Sequence, residues 1–145
     1  MKLDAVADRA PELALVALAA RRTLDESARQ RFHELTESSL DWRRVLAKAH
    51  WHGIIPLLVR HLETAPNSTC PSDIWQELRA HAVGVALTNK QFLRRLAELG
   101  DAMHSAGIPV VSLKGPVLAF RAFGDESLRV SSDLDVLRAC PITLF

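Results

Sequence analysis

Asp133 and Asp135 flank Leu134 in the segment Ser132-Asp-Leu-Asp-Val-Leu137. Its alternation is that of a strand, so residues 133–137 are predicted extended, with both carboxylates on one face and Leu134 on the other. Like charges held side by side repel unless a cation neutralises them. Hard carboxylate oxygens favour Mg²⁺, which takes one or two protein carboxylates and fills its remaining positions with water and phosphate oxygens. Upstream, Lys114-Gly115-Pro116 is a turn at the start of a predicted helix, where backbone N–H groups and the helix dipole favour an anion. Arg129 precedes the aspartates and has a guanidinium that can grip a phosphate bidentately. A glycine turn opening a helix, followed by an Asp-x-Asp strand, is the order of parts that nucleotidyl transfer needs. Alone, Asp-x-Asp also fits a plain strand start with one exposed carboxylate and one bonded to a loop.

Positioning these groups requires a strand before the turn. Ile108-Pro-Val-Val-Ser-Leu113 is short, β-branched and bounded by glycines, which predicts that strand, with Gly107 ending the helix ahead of it. Residues 117–123 are predicted as a short helix stopped by Gly124, and residues 125–132 as a loop. Everything upstream carries helical signals. Pro11 suits a first helical position, and Leu13, Val16, Ala17 and Ala20 follow at three- and four-residue spacing. Asp25 and Asp41 are predicted N-caps, the second ahead of a stripe of Trp42, Val45, Leu46 and Ala49 that Gly53 ends. A short apolar segment covers residues 54–62, the proline-flanked stretch 63–71 is a loop, and the longest periodic run spans residues 73–105. The class is therefore α+β: a helical region over residues 1–105, then the start of a β-α-β core over residues 106–145.

The chain has 145 residues, with 18 Lys+Arg against 17 Asp+Glu, a net charge of +1. That balance lacks the basic footprint of a protein gripping duplex nucleic acid through its phosphates. With 24% charged residues the composition is that of a folded globular chain rather than a disordered one. The apolar stretch at residues 13–20 is too short to span a bilayer, and the acids ahead of it are wrong for a secretory signal. Cys70 and Cys140 are far apart and each precedes a proline, so both thiols are expected free in a reducing, cytoplasmic setting.

The run Gly107-Ile-Pro-Val-Val-Ser-Leu-Lys-Gly-Pro-Val-Leu-Ala119, then Leu128-Arg129 and Ser132 to Leu137, resembles an uncharacterised bacterial nucleotidyltransferase family of the polymerase β-like superfamily. Leu40-Asp-Trp42, Ala49-His-Trp-His-Gly53 and Ile55-Pro-Leu-Leu58 are similar to the helical part of that family. The resemblance implies a nucleotidyltransferase-type core in which Asp133 and Asp135 are the catalytic metal ligands and Mg²⁺ the cofactor. Lys114, Gly115, Arg129 and Ser132 would contact a nucleoside triphosphate while an unknown acceptor hydroxyl attacks its α-phosphorus.

Two departures from that superfamily stand out. Its turn usually reads Gly-Ser or Gly-Gly, whereas this chain has Lys-Gly-Pro, so a serine contact does not carry over. It also places a third carboxylate on a later strand, and Arg138 to Phe145 contain no acid. The chain is accordingly expected to be a truncated or N-terminal portion of a longer protein, binding Mg²⁺ weakly and not turning over alone.

Other tempting residues point to structure. The six histidines match no metal spacing, so they are expected at the surface or in packing, with no zinc. Trp42, Trp51 and Trp75 are expected in the core, and the paired arginines on solvated helix faces. A reading from a different class is a non-catalytic helical interaction module whose aspartate pair has no chemical role.

Overall fold

In a computed structural model, residues 10–138 are described, and they form two compact units that divide within one long helix, between Val83 and Gly84. Cys140, one of the two expected free thiols, lies outside the described residues; Cys70 is a free thiol.

The first unit is helical: α1 (Pro11–Ala19), α2 (Glu26–Glu37), α3 (Trp42–Trp51), α4 (Ile55–Leu62) and the beginning of α5 (Ser72–Ser105). Local chemistry sets the starts. Asp25 accepts from the Ala28 N–H at 2.9 Å and Asp41 from the Arg44 N–H at 3.0 Å, each satisfying a donor that the first helical turn leaves free. Pro11 and Pro56 occupy first-turn positions where a missing N–H costs nothing. Leu15, Phe32, Val45, Ile55, Leu58 and Leu78 are fully buried and form the centre of the core. Thr69 ties the loop at residues 63–71 to the end of α2, its N–H donating to the Thr36 carbonyl at 2.8 Å.

Trp42 is buried, with its indole N–H donating to Thr69 Oγ1 at 3.3 Å, and Trp75 is half-buried under Arg79. Trp51, expected in the core, is 85% exposed. It lies nine positions after Trp42, about two and a half helical turns, and so on the opposite side of α3.

The second unit holds the rest of α5, then β1 (Val110–Ser112), α6 (Gly115–Phe123), a single 3₁₀ turn (Glu126–Leu128) and β2 (Val136–Arg138). The strands pair antiparallel, Val110 with Arg138, Val111 with Leu137 and Ser112 with Val136. With this small sheet beside the helices, the class is α+β.

Both strands are shorter than predicted, for identifiable reasons. Gly107, at φ +69, and Ile108 are consumed by the cap of α5: the Gly107 N–H donates to the His104 carbonyl and the Ile108 N–H to the Met103 carbonyl, a reverse turn that glycine alone makes without strain. Pro109 has no N–H to offer a ladder. At the other strand, residues 133–135 lie outside the regular ladder, with Asp133 set against Gly115 where the facing chain has already turned into α6. That helix begins at Gly115 rather than Val117, taking the glycine and Pro116 into its first turn. The expected loop at residues 125–132 contains the 3₁₀ turn, which Asp125 caps by accepting from the Ser127 N–H at 2.8 Å.

Candidate active site

The antiparallel pairing decides where the polar groups meet. The chain leaves β1 into the Lys114-Gly115 turn and enters β2 from Asp133 and Asp135, so both segments lie at the same end of the ladder. The pairing continues one step past the strands, with the Leu113 N–H donating to the Asp135 carbonyl at 3.0 Å. Carried two residues further, the same register sets Gly115 across from Asp133.

Gly115 is required there on two counts. Its φ is +68, a conformation that costs a side-chain-bearing residue roughly 1–2 kcal/mol. A Cβ at this position would also stand 3.3 Å from the Asp133 carbonyl oxygen and 3.7 Å from Leu134 Cδ2. The bare glycine therefore lets the turn and the aspartate segment lie in direct contact, with Gly115 and Pro116 buried.

Lys114 completes the contact. Its Nζ lies 3.0 Å from Asp135 Oδ2, with the side chains 60% and 38% exposed. The approach is off the direction of a good hydrogen bond, so the oxygen is buried with a cation beside it and no directed donor. At this exposure an isolated ion pair adds at most about 1 kcal/mol to stability; its importance is in the charge arrangement.

Four of the six predicted site residues, Lys114, Gly115, Asp133 and Asp135, are thus neighbours. Arg129 and Ser132 lie on the same incoming segment, but among the described residues no contact ties either side chain to the Lys114–Asp135 pair. The Arg129 guanidinium takes part in no ion pair among the described residues, and Ser132 is exposed. The hydroxyl that is buried without a partner belongs to Ser131.

A further residue went unpredicted. Asn89, fully buried on α5, donates from Nδ2 to the carbonyls of Glu126 at 2.6 Å and Arg129 at 2.8 Å, while its Oδ1 has no partner. Its signal was available: it falls four positions after the buried Val85, a site on the inward stripe where an apolar residue is the default.

Among the described residues no three His, Cys, Asp or Glu side chains stand together. Two aspartates, one with an orphaned buried oxygen, suit Mg²⁺, which leaves most of its shell to water and phosphate.

No curated protein and no solved structure matches the chain. A family model described as "Uncharacterised nucleotidyltransferase" matches residues 38–139. That span covers well over half of the chain and takes in α3 through β2, with Lys114, Gly115, Asp133 and Asp135 inside it. The chain belongs to this uncharacterised nucleotidyltransferase family.

Proposed function

We propose that the glycine turn and the aspartate segment form the metal and triphosphate end of a Mg²⁺-dependent nucleotidyl-transfer site of the polymerase β-like kind. The observation that carries this reading is the direct apposition of Gly115 to Asp133 together with Lys114 to Asp135. In it, Asp133 and Asp135 hold Mg²⁺, which when bound offsets triphosphate charge and polarises the α-phosphate. Lys114 and Arg129 supply fixed positive charge where phosphate oxygens gather. The first turn of α6 has no side-chain cap, and of its N–H groups those of Gly115 and Val117, Pro116 having none, are the donors left for phosphate oxygens. In the reaction the oxygen of an acceptor hydroxyl bonds to the α-phosphorus as its proton passes to solvent, the bond from that phosphorus to the bridging oxygen breaks, and pyrophosphate leaves. A bacterial cytoplasm, with its nucleoside triphosphates and Mg²⁺, fits these needs.

The test is thermal unfolding of the full chain with Mg²⁺ plus ATP, CTP, GTP or UTP, against EDTA. A ligand bound only by the folded state raises the midpoint by mass action. At least one nucleotide is expected to do so in wild type and not in Asp135→Asn. If none shifts wild type, the assignment fails. The reading as a non-catalytic interaction module, which the exposed Trp51 favours, would then be the better one.

A further inference from the structure

We propose that Asn89 is a positioning residue of the nucleotide site, holding through two backbone carbonyls the segment that carries Arg129 to the triphosphate. The proposal rests on the nucleotidyl-transfer reading above.

Asn89 is 0% exposed and sits between exposed Thr88 and Lys90 on α5. Burying an amide is unfavourable unless its hydrogen bonds are made inside. Both of its donated bonds go to main-chain oxygens at either end of the 3₁₀ turn, Glu126 and Arg129. Chemistry settles the orientation of the amide, since two acceptors face it and only the NH₂ can serve them. The Oδ1 is consequently turned to where it has no partner, a cost borne by the geometry of the clamp.

From there the chain runs to Asp135 with its main chain fixed at two more points, the close approach of Asp133 to Gly115 and the Leu113 to Asp135 hydrogen bond. Asn89 is therefore the upstream anchor of the segment whose downstream end carries the aspartates. With no ion pair among the described residues to hold its guanidinium, Arg129 takes its place from its backbone, and Asn89 holds that backbone at the Arg129 carbonyl itself. Asn89 touches no reacting atom; its influence on a triphosphate passes through Arg129.

Four versions of the full chain test this: wild type, Asn89→Asp, Arg129→Ala and the double variant. Asp keeps the size of Asn and removes the donors. The probe is a fluorescent ATP analogue titrated in Mg²⁺, with folding checked by circular dichroism well below each thermal midpoint. Each single substitution is expected to weaken binding roughly tenfold, the scale of a lost hydrogen bond to a charged group. The double variant is expected to bind no more weakly than Arg129→Ala, while Asn89→Asp lowers the midpoint in both backgrounds. A purely structural Asn89 would instead weaken binding equally with and without Arg129, or not at all, and either result overturns the proposal. If Asn89→Asp fails to fold, Asn89→Ser, which keeps one donor, is read in the same cycle. Absence of binding by wild type overturns the nucleotide reading itself and takes this proposal with it, a result distinct from binding that Asn89→Asp leaves intact.

Discussion

The Asp133 carbonyl oxygen stands 3.3 Å from the point that a Cβ on Gly115 would occupy. Gly115→Ala should therefore destabilise the chain by about 1–2 kcal/mol from the positive φ alone, and push Asp133 away from the turn. Urea unfolding measures the first effect and loss of the Mg²⁺-nucleotide midpoint shift the second. An alanine variant of unchanged stability and binding would show that turn and aspartates do not need this contact.

Two tryptophans of one helix should behave oppositely. Trp42→Ala removes a buried ring and its bond to Thr69, a change expected to cost about 3–5 kcal/mol. Trp51→Ala removes a ring that is mostly in solvent and should stay within about 0.5 kcal/mol of wild type. Urea unfolding monitored by circular dichroism separates the two without relying on tryptophan emission.

His81 and His50 pack edge to face, with ring centroids 5.2 Å apart, in a cavity that Glu77 and Arg43 also line. Burial first, and the neighbouring His50 second, hold the His81 imidazole below its usual value of 6.5. The unfolded chain thus binds the proton more readily than the folded one, so this contribution to stability is complete above pH 6.5 and is lost as pH falls below it. His81→Gln should flatten the decline in urea midpoint between about pH 7.5 and about pH 5.5. An unchanged slope would assign the decline to other groups.

Cys70 should be a poor nucleophile. Burial, reinforced by the negative charge of Asp73, pushes its thiol up to about 11. In a Cys140→Ser background, which leaves Cys70 as the single thiol, labelling by a disulfide reagent near neutral pH should run roughly tenfold or more slower in the folded chain than in urea. Equal rates would mean that the thiol is accessible and ionises normally.

Much of the helical region was legible because its signals are local. Asp25 and Asp41 cap through their own side chains within three residues, and Pro11 needs no partner. Strand limits were less so, since they depend on what lies across the ladder. Ile108 has a strand's side chain but gives its N–H to Met103, and Asp133 has a strand's neighbours but faces a helix start. Trp51 was misplaced although spacing alone carried the answer. The meeting of Lys114, Gly115, Asp133 and Asp135 could be anticipated from their order. Asn89 could not be paired with Glu126 and Arg129, because those bonds go to main-chain oxygens, which every residue has.

The opposed directions of β1 and β2 make everything from the glycine turn to the aspartates a closed excursion that departs and returns at one rim. Residues added at its exposed corner, Gly124-Asp125, would lengthen the excursion without sliding either strand, at a closure cost of only about 0.6 kcal/mol per doubling. The outer arc can therefore lengthen while the register of the two strands is kept.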